Sequence, residues 1–185
     1  MKELKDMTLS ELWQLFPISL VRHNPCWEEW ADDEIDRLKR VLSAYSPIIY
    51  HIGSTAIPGI QSKPIVDILV EIAPDEKLSC LRDTMEQAGY ICMSSSSKRM
   101  SFNKGYTPHG YAERVFHIHV HPIGDNDEIL FRDYLKANPN MAHEYELLKQ
   151  SLMPKYRHDR DKYTEAKTEF VNRVIALAKS SQTRR

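Results

Sequence analysis

His51-Ile52-Gly53-Ser54-Thr55-Ala56-Ile57-Pro58-Gly59-Ile60, followed by Lys63-Pro64-Ile65-Val66-Asp67-Ile68-Leu69-Val70-Glu71-Ile72, is the stretch on which the fold turns. The run Pro47-Ile48-Ile49-Tyr50-His51-Ile52 predicts a buried strand that stops at the Gly53-Ser54 turn. Pro58-Gly59 breaks the loop that follows, and a second strand is expected over residues 65–72. Along that strand successive side chains point to opposite faces. Val66, Ile68, Val70 and Ile72 make one face wholly apolar, while Asp67 and Glu71 stand on the other, about 13 Å apart at ~3.3 Å per residue. His117-Ile118-His119-Val120-His121 repeats the design with imidazoles on one face and Ile118 and Val120 on the other. Two such strands in one sheet would put a core on one side and a row of carboxylates and histidines on the other. Charges that alternate along an antiparallel strand are commonly its wet face. An Asp between Val66 and Ile68 in an otherwise apolar run points instead to a site. His121, beside Pro122 at the strand end, reads as a bystander.

Working outward, Thr8-Leu9-Ser10-Glu11 has the form of a capping box and starts a short helix over residues 9–16 that Pro17 stops. Residues 18–21 fit an edge strand. Asn24-Pro25 opens a long amphipathic helix carrying Trp27, Trp30, Ile35, Leu38 and Leu42 as far as residue 44. A helix over 75–88 ends at Gly89, a short strand covers 90–93, and the serine run 94–97 reads as a loop. Residues 99–104 and 114–121 are expected to pair antiparallel around a turn-rich 105–110. The last third gives helices over 127–137, 139–152 and 161–179, the third with an apolar stripe from Tyr163 to Leu177. The expectation is an α+β (α/β) domain, a mixed sheet with helices packed on one face and a C-terminal helical segment. Residues 1–17 form an N-terminal helical extension, 18–180 a single domain, and 181–185 a disordered tail.

Composition bounds the function. The chain has 185 residues, 42% apolar and 28% charged, with a formal net charge of -1, which suits one domain with a continuous core. No apolar run approaches the ~18 residues of a membrane span, and the start MKELKDMTLSEL carries no secretory h-region. A soluble, cytoplasmic protein without a membrane partner is expected. Near-neutrality argues against a nucleic-acid binder, yet the charge is uneven: residues 1–92 hold 9 Lys/Arg against 15 Asp/Glu, and residues 93–185 hold 16 against 11. An anionic ligand would therefore find its partners mainly in the second half. Cys26, Cys80 and Cys92 are odd in number and make no CxxC pair, so neither a disulfide framework nor a zinc cluster of cysteines is expected.

A glycine-serine turn after a buried strand exposes backbone N–H groups and a hydroxyl, a natural cradle for phosphate. Gly53-Ser54 with Asp67 on the next strand resembles the signature of the nucleotidyltransferase fold. More narrowly, the two blocks at 51–60 and 63–68 resemble the hallmark of the GrpB family. Asn24-Pro25-Cys26-Trp27, His117-Ile118-His119-Val120, Phe131-Arg132-Asp133-Tyr134-Leu135 and Tyr163-Thr164-Glu165-Ala166-Lys167 fit it as well. This resemblance spans roughly residues 18–178 and implies a minimal nucleotidyltransferase-like domain, sometimes fused to dephospho-coenzyme A kinase. It also implies a glycine-serine turn that holds nucleotide phosphates and strand carboxylates that hold divalent metal. Members active in transfer carry a second acid two residues after the first; here that position is Leu69, whereas two-metal chemistry needs carboxylates bridging ions ~3.5–4 Å apart.

The residues and the resemblance together nominate Asp67, Glu71 and His119 as catalytic and metal-holding groups for Mg, Mn or Zn, with His119 favouring a transition metal. Gly53, Ser54, Thr55, Lys63, Arg99 and Lys104 are nominated for phosphate or nucleotide, and His51 and His117 as cleft-lining. The expected function is binding of a small nucleotide or other phosphorylated ligand, with metal-dependent nucleotidyl or phosphoryl transfer as the activity. One alternative is a catalytically reduced nucleotide- or protein-binding domain. A second rests on residues 117–123, which resemble the histidine-triad pattern and would make His119 the nucleophile of a nucleotide hydrolase.

Overall fold

The protein is described by a computed structural model over residues 2–73 and 78–183. Five strands, β1 (Ile48–Ile52), β2 (Val66–Ile72), β3 (Ile91–Ser95), β4 (Met100–Thr107) and β5 (Gly110–Pro122), form one mixed sheet in the order β1-β2-β5-β4-β3. β2 and β5 run parallel at its centre, with Asp67 opposite His117, Leu69 opposite His119 and Glu71 opposite His121. The other pairings are antiparallel. The two patterned strands are therefore neighbours, and their polar faces coincide row by row.

The apolar face meets α2 (Cys26–Val41) and α3 (Leu78–Gln87). Val66, Ile68, Val70 and Ile72 pack with Phe102, Ile118 and Val120 against Trp27, Ala31, Leu38 and Leu42 on one side and Leu81 and Met85 on the other. Burying a side chain of this size contributes about 1.5–3 kcal/mol, so this face fixes the register, since a one-residue slip would turn every charge inward. A second cluster joins Ile57 and Ile60 of the β1–β2 loop to Phe131 and Leu135 of α4 (Asp127–Ala137), Tyr145 of α5 (Pro139–Leu152) and Val174 of α7 (Thr168–Thr183). α1 (Leu9–Leu15) and the C-terminal helices flank the other sheet face and leave a cavity over it.

The capping box is present at α1: Glu11 N–H donates to Thr8 Oγ1 and Thr8 N–H to Glu11 Oε2. Several expected bounds shift. Residues 18–21 form no strand, only a bridge between Val21 and Ser62, because Ile18 is drawn into a small core with Leu152 and Tyr163. The long helix stops at Val41, and residues 43–45 make a 3-10 turn. Residues 94 and 95 belong to β3. β4 and β5 run well past their expected ends around a bulge at Gly105, whose φ of +88° and 2.3 Å approach of a would-be Cβ to Arg114 O admit only glycine. The last expected helix is two, α6 (Arg160–Glu165) and α7, and α7 continues to Thr183 through part of the expected tail. Residues 75–77 of the expected third helix and 184–185 of the tail lie outside the described residues. Among the described residues no helix is long and apolar enough to cross a membrane.

Candidate functional site

Asp67 leaves β2 beside the Gly53-Ser54 turn. Gly53 holds φ at +71°, and a Cβ there would lie 2.5 Å from Asp67 Oδ2. The glycine therefore serves two ends at once, a backbone conformation closed to other residues and the room that the carboxylate occupies. Ser54 opens a 3-10 turn and lines the cavity with Gly53 and Asp67.

Across the parallel ladder, His117 Nδ1 and His119 Nε2 lie 3.4 and 3.5 Å from the same oxygen, Asp67 Oδ1. One ligand atom from each of the three lies within 4.8 Å of the other two. These separations exceed the 2.7–2.9 Å of a close charge-assisted hydrogen bond. They match the edge, about 3.4 Å, of a tetrahedron whose ligands sit ~2.05 Å from a central ion. Two imidazoles and one carboxylate form a donor set for Zn, Mn or Fe in preference to Mg. Burial raises the Asp67 carboxyl, and hydrogen bonds from His117 and His119 more than offset it, holding it below the usual carboxylate range. Burial lowers His117 to about 4 against the opposing pull of Asp67, so the ring is neutral at pH 7, as a metal ligand must be. Its Nε2 is 2.7 Å from Tyr106 Oη, a partner that fixes the ring's orientation.

The cavity over this cluster has a volume of about 1120 Å³. Four cations line it: Lys63 from the loop before β2, Lys149 from α5, Arg160 at the start of α6 and Lys167 between α6 and α7. Among the described residues none of the four forms an ion pair with a carboxylate. They rest on rings instead, Lys63 and Lys167 over Tyr163, Lys149 over Tyr145 and Arg160 over Tyr106. Burial, then the charges of Lys167 and Arg160, lowers Lys63 to about 7. Burial, then Lys167, lowers Lys149 to about 7, although its Nζ donates to Gln61 O. Cations held this close together repel one another, and an anion among them relieves that repulsion. Tyr163, also on the cavity wall, has a buried Oη without a hydrogen-bond partner among the described residues.

The expected site residues divide. Gly53, Ser54, Lys63, Asp67, His117 and His119 line one cavity. Glu71 does not join them: it is 2% exposed, and its Oε1 accepts from Gly124 N–H (2.7 Å) and Asn126 Nδ2 (3.1 Å), fastening the turn that leads into α4. Arg99 is paired with Asp125, outside the cavity. Lys104 lies on the apolar-face side, where its Nζ donates to the buried Glu34 between the rings of Tyr90 and Phe116. Thr55 is buried and bonded to His51, Nε2 to Oγ1 at 3.0 Å, and neither lines the cavity, because the register puts His51 opposite Ile68 rather than Asp67. Leu69 is fully buried opposite His119, so no second acid stands beside Asp67.

The sequence reading names no site role for Lys149, Arg160 or Tyr106, and it names Lys167 only within the block 163–167 that fits the family. A signal existed for Lys149, which falls on the buried stripe of α5 with Ala142, Tyr145 and Leu152. A lysine on an apolar stripe needs a reason.

A family model described as GrpB protein matches residues 17–177. The UPF0157 protein YqkA of Bacillus subtilis is 33% identical over 92% of this chain, which spans 51% of that protein. The glutamate-rich protein GrpB of Alkalihalophilus pseudofirmus is 33% identical over 85% of the chain and 94% of its own length. Among solved structures, the conserved protein GrpB from Enterococcus faecalis superposes with a TM-score of 0.74 at 30% identity, covering 89% of this chain and 99% of that one.

Proposed function

The chain belongs to the GrpB family, and from that premise we propose that it binds a nucleotide or other phosphorylated compound together with one divalent transition metal ion in the cavity above β2 and β5. The observation that carries this reading is the juxtaposition in one cavity of an Asp-His-His donor set and four cations that have no carboxylate partner among the described residues. Asp67, His117 and His119 would hold the ion, and Lys63, Lys149, Arg160 and Lys167 the phosphate charge. Arg160 Nη2, 3.4 Å from His117 Nε2, brings the cationic wall to the edge of the donor set. Ser54 and the N–H groups of its turn supply hydrogen bonds to the same anion.

When bound, an ion at this site supplies Lewis-acid polarisation of a phosphoryl oxygen. The chain's own residues orient the phosphate, neutralise its charge and, through Tyr106 on His117, hold the donor set in place. Leu69 and the engagement of Glu71 speak for a one-ion site and against two-metal nucleotidyl transfer. The histidine-triad reading is disfavoured by His121, which is buried and bonded through Nδ1 to Asp125 O at 2.9 Å, away from the other two imidazoles' partner.

Thermal denaturation with a panel of nucleotides and inorganic polyphosphates, each with zinc, manganese or magnesium, tests the proposal. A ligand at 100 times its dissociation constant adds about 2.7 kcal/mol. A stabilisation that needs both a phosphorylated ligand and zinc or manganese, and is absent from Asp67→Ala, is expected. A protein indifferent to every combination would overturn the reading.

A further inference from the structure

The cavity continues well beyond the phosphate site. Across the sheet on its polar face, the register sets Asp67, His117, Asn103 and Ile91 in one row, from β2 through β5 and β4 to β3. At ~4.8 Å between strands the row is about 14 Å long, and its chemistry grades from metal donors to an amide to an aliphatic edge. None of the four cations comes from α1, β3 or β4. That end is formed by Ile91 and Met93, which are 43% and 56% exposed, and the stripe Leu9, Leu12 and Trp13 of α1 lines the same cavity.

Within this apolar end stands Asn103, 8% exposed and lining the cavity, whose side-chain amide has no hydrogen-bond partner among the described residues. The amide opens onto the cavity and presents two donors and an acceptor to whatever fills it. An alkyl chain would fill the space and leave the amide bare. The edge of a heteroaromatic base supplies donor and acceptor together, and its face suits the indole of Trp13. Resting on the reading of the cavity as a phosphate site, we propose that the β4–β3 end is a nucleobase subsite. There Asn103 pairs with the base edge and Trp13 packs on the base face, so the ligand is a nucleoside phosphate lying across the strands with its phosphates over Asp67.

Calorimetric titration of the full chain at fixed manganese separates this subsite from the phosphate site. Inorganic tripolyphosphate probes the second alone, and the four nucleoside triphosphates probe both. At least one nucleotide is expected to bind about tenfold or more tighter than tripolyphosphate. Trp13→Ala and Asn103→Ala are each expected to bring that ratio close to one while leaving the tripolyphosphate affinity within about twofold, which also reports that the variant is folded. Trp13 is half-buried at the rim, so its variant decides the matter should Asn103→Ala not fold. Tripolyphosphate binding as tightly as every nucleotide would overturn the base subsite and leave the phosphate site standing. A nucleotide preference that survives both substitutions would overturn the assignment to these residues. Failure of every probe to bind would overturn both proposals together.

Discussion

Asp67 with His117 and Glu71 with His121 are two carboxylate-histidine pairs on the same face of the same two strands, four residues apart. Sequence alternation treats them alike. In the fold the first pair opens on the cavity beside Gly53, and the second is closed over by the 122–128 turn, whose Gly124 N–H, Asn126 amide and Asp125 carbonyl engage it. A strand pattern therefore selects a face, and only the connection that follows β5 decides which acid on that face meets a ligand. The same lesson holds for the cations. Arg99 and Lys104 each have a carboxylate of their own, Asp125 and Glu34, whereas Lys63, Lys149, Arg160 and Lys167 have none among the described residues.

The largest effects are expected where the two pairs are exchanged in role. Asp67→Ala should weaken zinc or manganese binding by more than about a hundredfold, given that loss of an outer-shell partner alone is worth 10–100-fold, with little change in stability. Glu71→Ala should do the reverse, leaving ion affinity within about threefold while costing about 1–3 kcal/mol in denaturant unfolding, because the Gly124 N–H loses its acceptor. Equal losses of ion binding in both variants would erase the distinction.

Gly53→Ala probes the first pair without removing a ligand group. The added Cβ meets Asp67 Oδ2 and the residue is held at positive φ, so a stability loss of about 1–2 kcal/mol should accompany a roughly tenfold or greater loss of ion affinity. The equivalent change at Gly124, where nothing lies within 4 Å of a Cβ, should lower stability alone.

The cavity cations give a pH signature. Lys149 has a folded value of about 7 against 10.5 for the free side chain, and Lys63 likewise. Between those values the unfolded chain holds protons that the folded chain has shed, so these two groups make the ligand-free protein more stable as pH rises from 7 to 10. Lys149→Met should flatten that slope in thermal melts. A polyphosphate holds the protons on, so its affinity should rise as pH falls from 9 to 7, with proton uptake seen by calorimetry in two buffers. Smallest of all, Arg99→Gln should change ligand affinity by less than twofold and stability by under ~1 kcal/mol, as for an exposed ion pair.

Much of this architecture was legible in the sequence, since the apolar side of residues 66–72 and 116–120 forced one face inward and Gly53, Asp67 and the two histidines declared the other. The C-terminal half was also indicated as the source of cations by its charge. The particular lysines were not, because Lys149 and Lys167 reach the cavity only through the packing of α5 and the break between α6 and α7. Glu71 was misplaced for a related reason: its partners lie about 53 residues downstream, in a turn whose return to β2 no local pattern announces.

The central claim, a single transition-ion site on Asp67, His117 and His119, is tested most directly by anomalous diffraction from crystals of the protein soaked in zinc. One peak, within coordination distance of Asp67 Oδ1, His117 Nδ1 and His119 Nε2, is the predicted result. No peak there, or ions held instead by Glu71, would contradict it.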